Sequence, residues 1–168
     1  MSPSRPPKDD APLSHPGVHI LLIEDSPADI SLFREALQKL PIPCQLTACT
    51  HFRELEAFVV QASNASAVRP QLILLDYLLA DMEAAETLAL CRSLPGYDTI
   101  PVILFSGLPE TEGQQRSTVL GTTAFVQKPG ALQAYFDAVA AIIYRWGWRQ
   151  PEASAAERVS TKGANHAD

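Results

Sequence analysis

Acids, a hydroxyl and a lysine close four apolar runs in this chain. Glu24 and Asp25 follow VHILLI, Asp76 follows LILL, Ser106 ends PVILFS, and Lys128 follows AFVQ. A carboxylate placed directly after four large aliphatic residues needs a compensating partner, because removing its charge from water costs several kcal/mol. If the runs end side by side, three acids face one another and one ammonium group cannot neutralise them. A hard divalent cation can. Oxygen ligands suit Mg²⁺, which accepts a few carboxylates, keeps several waters and shares phosphate oxygens. An aspartate held between such a cation and a lysine is placed to attack a phosphoryl group. Mg²⁺ and Lys128 would stabilise charge on the transferring oxygens, and the Ser106 hydroxyl would donate to one of them.

The elements that position these residues follow from hydrophobic spacing. VHILLIE (18–24) is a continuous apolar run of strand length, and Ile30, Phe33, Leu37 and Leu40 then share one helical face. QLTAC (45–49) is a second strand, followed by a helix on Phe52, Leu55, Val59 and Ala62. LILLD (72–76) is the third strand, before a helix over 83–94 carrying Leu88, Cys91 and Leu94. PVILFS (101–106) and AFVQ (124–127) are the last strands, with a weaker helix over 110–120 between them and a strong helix from 131 to about 146. Strands alternating with helices predict an α/β fold: a doubly wound, five-stranded parallel sheet covered on both faces. In such a sheet, ligands bind beyond the carboxyl ends of the strands. That edge is where the acids, Ser106 and Lys128 fall.

The first helix has a clear start. Ser26 is its cap, Pro27 suits the first turn, and Asp29 completes an S-x-x-D capping pattern. No glycine-rich phosphate loop stands there, which argues against a nucleotide-binding version of the architecture.

Composition sets the remaining bounds. With 168 residues, 46% of them hydrophobic, the chain can build one domain with a substantial core but not two. A net charge of -6 argues against nucleic-acid binding. No apolar run is long enough for a membrane span and the start lacks the apolar core of a signal peptide, so a cytoplasmic protein is expected. Residues 1–17 are read as a disordered leader, 18–148 as the domain, and 149–168 as a flexible tail. Cys44, Cys49 and Cys91 lack metal-ligand spacing and are read as reduced thiols, and the four histidines show no ligand spacing either.

LLIEDSPAD, LILLDYLL, PVILFSG and FVQKP, in this order and at these separations, resemble the receiver domain of two-component response regulators. The resemblance covers about residues 18–146. It implies the flavodoxin-like receiver fold with strand order 2-1-3-4-5. Glu24 and Asp25 match the family's acidic metal-binding pair, Asp76 its phosphoacceptor, and Leu78 the residue whose backbone carbonyl ligates the metal. Ser106 matches the switch hydroxyl, Lys128 the catalytic lysine and Phe125 the switch aromatic. The implied function is acceptance of a phosphoryl group from a sensor histidine kinase onto Asp76 with Mg²⁺, read out as a change in the surface of the fourth helix, fifth strand and fifth helix. The aromatic ending also resembles response regulators paired with bacterial phytochromes, which implies a bacteriophytochrome partner. Two departures lie in the loop after the phosphoacceptor: Ala80 and Ala84 stand where the family often has proline and glycine.

Each residue has a plainer reading when taken alone. An acidic pair after a strand suits a helix start, and Lys128 and Ser106 would be ordinary strand-end residues. Their combination favours the chemical reading. In the last helix, Leu132, Phe136, Val139 and Ile143 form an inward face, while Tyr135, Ile142 and Trp146 form a second stripe. That stripe is read as an exposed patch for a homodimer. Two other functions compete. A phosphohydrolase of the haloacid-dehalogenase type would need a second aspartate where this chain has Leu78, so the protein is expected not to be a turnover enzyme. A phosphorylation-independent interaction scaffold is the remaining alternative, and the intact acidic pair with Asp76 and Lys128 argues against it.

Overall fold

The computed structural model describes residues 17–64 and 67–148. The expected leader, apart from Gly17, and the expected tail lie outside the described residues. Five strands, β1 (Val18–Ile23), β2 (Cys44–Cys49), β3 (Leu72–Leu75), β4 (Val102–Ser106) and β5 (Ala124–Gln127), alternate with five helices: α1 (Pro27–Gln38), α2 (Phe52–Ala62), α3 (Ala84–Arg92), α4 (Glu110–Leu120) and α5 (Leu132–Ile142). The sheet is parallel throughout, in the order 2-1-3-4-5. The expected fold class is therefore the observed one.

Alternate residues of the strands feed two cores. Ile20 and Leu22 of β1, Leu72 and Leu74 of β3, and Ile103 and Phe105 of β4 pack beneath α1 and α5. Leu21, Ile23, Ile73, Leu75, Val102 and Leu104 face the other way, onto Leu55 of α2 and Leu88 and Cys91 of α3. Every residue of β1, β3 and β4 is buried, which explains runs with no polar alternation. The edge strand β2 is only partly covered. Among the described residues no helix is long and apolar enough to cross a membrane.

The helix ends follow local chemistry. α1 starts as expected at Ser26, whose Oγ accepts the Asp29 N–H at 3.3 Å. The return half of the capping box differs: the Ser26 N–H donates to Glu24 Oε1 at 3.0 Å, so the Asp29 carboxylate is left for another partner. α3 stops at Arg92, two residues before the expected end; the Ser93 hydroxyl donates to the Leu90 carbonyl and Gly96 takes a positive φ of 79°. α4 closes on Gly121 in the left-handed region, with Thr122 N–H donating to the Ser117 carbonyl, a Schellman arrangement.

The last helix corrects the sequence reading. Regular α-helix ends at Ile142, and a π-helical turn, Ile143–Gly147, carries the chain to Trp148. Gly147 packs against Val18 and Leu72, where a Cβ would stand 3.0 Å from Val18 Cγ1. Tyr135 and Ile142, expected on an exposed dimer stripe, are buried at 3% and 1% exposure, and Trp146 is half-buried against the same core. Leu132, expected inside, is exposed. The reason is width: α5 lies against both the sheet and α1, so its covered face spans more than one stripe. With Tyr135 and Ile142 turned inward, the expected dimer patch loses the residues that motivated it.

Candidate functional site at the carboxyl edge of the sheet

Each site residue is placed by a backbone bond to the neighbouring strand. Glu24 N–H donates to the Cys49 carbonyl (3.1 Å), Asp76 N–H to the Ile23 carbonyl (3.0 Å), and Lys128 N–H to the Ser106 carbonyl (2.8 Å). The ends of β1, β3, β4 and β5 are thereby drawn level, and four of the expected residues, Glu24, Asp76, Ser106 and Lys128, meet there.

Lys128 is the centre. Its Nζ donates to Glu24 Oε2 at 2.5 Å, to Asp29 Oδ2 at 2.7 Å and to Asp76 Oδ2 at 2.9 Å. The other Asp76 oxygen, Oδ1, accepts the Leu78 N–H at 3.1 Å. Burial works against ionisation of Asp76, but the Lys128 charge and bonds, the Ser106 hydroxyl and the Leu78 N–H outweigh it and hold the carboxyl below its ordinary pKa. Glu24, almost fully buried, goes the other way: burial pushes it up to about 7, against the pull of Lys128 and of the Ser26 N–H. Lys128 would lose its charge more readily through burial, yet its three carboxylate partners raise its pKa. One ammonium facing three acids leaves the most buried acid short of compensation.

Ser106 is fully buried, and its hydroxyl has no hydrogen-bond partner of full geometry. It lies close enough to Asp76 to favour the ionised carboxyl. A buried hydroxyl beside a carboxylate is a donor to it, and Ser106 is within reach of whatever Asp76 carries. Phe125 points inward, buried against α4 over Gly113.

The donor set suits a hard cation. Glu24, Asp29 and Asp76 each offer a carboxylate oxygen, all within 4.8 Å of one another. Asp25 stands outside that group; its Oδ2 accepts the Ala80 N–H at 2.7 Å. A proline at that position would have no N–H to give, so Ala80 supplies a tether that the commoner residue cannot.

Asp29 is the site residue that sequence reasoning missed. The capping pattern had given it a sufficient local role, and the available signal was that Glu24, two residues before Ser26, can take over the return bond. A second contact was also missed: the Arg116 guanidinium of α4 lies 5.2 Å from the centre of the Tyr77 ring, next to Asp76.

No family model matches the chain. It is 31% identical over 134 residues to response regulator Rcp1 of Synechocystis sp., covering 79% of this chain and 91% of that protein. The chain belongs to the response regulator family. Among solved structures, this response regulator is similar to the phosphorylated cyanobacterial phytochrome response regulator RcpA, with 32% identity, 78% of this chain and 94% of that one covered, and a TM-score of 0.67. It is also similar to the Mn²⁺-bound form of Rcp1, with 30% identity, coverage of 78% and 94%, and a TM-score of 0.64. Receiver domains of this kind are signalling proteins rather than turnover enzymes.

Proposed function

We propose that this response regulator accepts a phosphoryl group on Asp76 from the phosphohistidine of a sensor histidine kinase. The observation that carries the reading is the meeting of the Asp76 carboxylate, the Lys128 ammonium 2.9 Å from it and the buried Ser106 hydroxyl at one point of the sheet edge. An Asp76 oxygen bonds to phosphorus as the N–P bond breaks, and the imidazole leaves with the bonding pair. Lys128 and Ser106 then face the phosphoryl oxygens, so that a positive charge and a hydroxyl donor are already in place. Attack by water later returns the carboxylate and releases inorganic phosphate.

Mg²⁺ suits the acidic oxygens of this edge. Glu24, Asp25 and Asp76 with the Leu78 carbonyl would hold it, Asp25 from its place on the Ala80 N–H and with Asp29 staying on Lys128. When bound it would supply positive charge to the phosphoryl oxygens. The Mn²⁺ in the related Rcp1 structure supports a divalent site here. The likeness to RcpA supports a phytochrome-type kinase as the partner class. Ser106 and Phe125 relay the new charge to the face formed by α4, β5 and α5, where Phe125 already contacts α4 through Gly113. A cytoplasmic location accords with this partnership.

Intact-mass measurement after incubation with acetyl phosphate tests the reading. A gain of one phosphoryl group that requires Mg²⁺ and is lost in Asp76→Asn is expected. No gain in the unaltered protein, beside a control receiver that labels, would overturn it in favour of the phosphorylation-independent scaffold.

A further inference from the structure

A lysine ammonium has three N–H donors, and in this chain each is taken by a different carboxylate: Glu24, Asp29 and Asp76. A phosphoryl group arriving on Asp76 therefore meets a lysine whose donors are all engaged. The three partners differ in how well they survive without it. The Glu24 side chain is 2% exposed and that of Asp76 9%, so each would be left as a carboxylate largely shut off from water. The Asp29 side chain is 38% exposed, so water can take over its carboxylate. The Asp29 oxygen also lies within 4.8 Å of the Asp76 oxygen, near enough to repel a phosphoryl dianion attached there.

Resting on the phosphoacceptor reading, we propose that Asp29 is a positioning residue that competes with the phosphoryl group for the Lys128 ammonium, and so limits how tightly the phosphorylated state is held. Both effects have the same sign. Breaking the Asp29–Lys128 pair draws on the free energy of phosphoryl binding, and the remaining carboxylate repels the group it has made room for. Asp29 reaches Lys128 because Glu24, not Asp29, closes the capping box at Ser26. The first turn of α1 thus keeps its cap while lending a carboxylate to the site.

Beryllofluoride, a phosphoryl analogue, is the probe. It is titrated into the full chain at saturating Mg²⁺ and followed by the ¹⁹F resonance of the bound form. Asp29→Asn is expected to bind about threefold to fivefold tighter than the unaltered protein, the range for a partly exposed ion pair. Asp29→Glu, which keeps the charge, is expected to stay closer to the unaltered affinity. Thermal melts without beryllofluoride report any structural loss separately, since a merely structural Asp29 would change the melt and not strengthen the ligand. Asp29→Ser, another good first-turn residue, takes the place of the amide if that variant does not fold. Equal or weaker binding by the neutral variants would overturn the role of Asp29 while leaving the receiver reading intact. Absence of binding by the unaltered protein would instead remove the receiver reading beneath it.

Discussion

The ring of Phe125 fills the space where a side chain on Gly113 would begin: a Cβ built there would stand 2.1 Å from Phe125 Cζ. Gly113 lies inside α4, where glycine costs about 1 kcal/mol relative to alanine in an exposed helix. Here the empty position is the seat of the ring. Gly113→Ala should therefore destabilise the protein by about 1–3 kcal/mol, despite better helix propensity, because the ring must move out. Urea denaturation measures this. Adding Phe125→Ala should make the two losses markedly less than additive, and simple additivity would mean that the ring is not seated on Gly113.

Lys128 compensates carboxylates that water scarcely reaches. Lys128→Ala should cost about 3–5 kcal/mol at pH 8, the range for removing one partner of a buried ion pair. The loss should shrink at pH 5. Without the ammonium, the folded-state pKa values of Glu24 and Asp76 rise above their unfolded values, so the folded protein holds protons that the unfolded chain has released. Stability then falls as pH rises through that window. Denaturation at the two pH values checks this, and an equal loss at both would contradict it.

Glu24 in the metal-free protein predicts a pH effect of its own. Its folded pKa is pushed from 4.5 to about 7. Between those values the folded state binds the proton more tightly than the unfolded state, so this group's contribution to stability declines as pH rises from 4.5 to 7. Glu24→Gln removes that dependence. Measured in chelator, its stability relative to the unaltered protein should improve from pH 5 to pH 8. A difference that stays flat or reverses would place the buried proton elsewhere.

Asp25 is tethered by the Ala80 N–H, and the tether should matter to cation binding. Ala80→Pro deletes the donor, whereas Ala80→Gly keeps it. Mn²⁺ affinity, followed by the loss of the free-ion signal in electron paramagnetic resonance, should fall about tenfold in the proline variant and change little in the glycine variant. Equal affinity in both would show that Asp25 needs no such anchor.

Much of the site is readable before any fold is drawn. Continuous apolar runs belong to strands covered on both faces, and each run must end where the chain leaves the core. Parallel strands joined by helices all end on one edge, so Glu24, Asp76, Ser106 and Lys128 converge there, far apart as they are in the chain. Helical spacing is less informative. It shows that α5 has an apolar face but not how many bodies it packs against, which is why Tyr135 and Ile142 read as a patch and are core residues.

What the sequence determined by itself is therefore the α/β class and the edge where the chemistry-bearing residues gather, because both follow from the period and ends of apolar runs. The tertiary structure alone decided which carboxylates share the Lys128 ammonium, that Asp29 is one of them, and that Phe125 is seated in the gap left by Gly113. Those pairings join residues as many as 104 positions apart. They depend on side-chain directions and on competing local bonds, such as Glu24 taking the Ser26 N–H, that no one-dimensional pattern records.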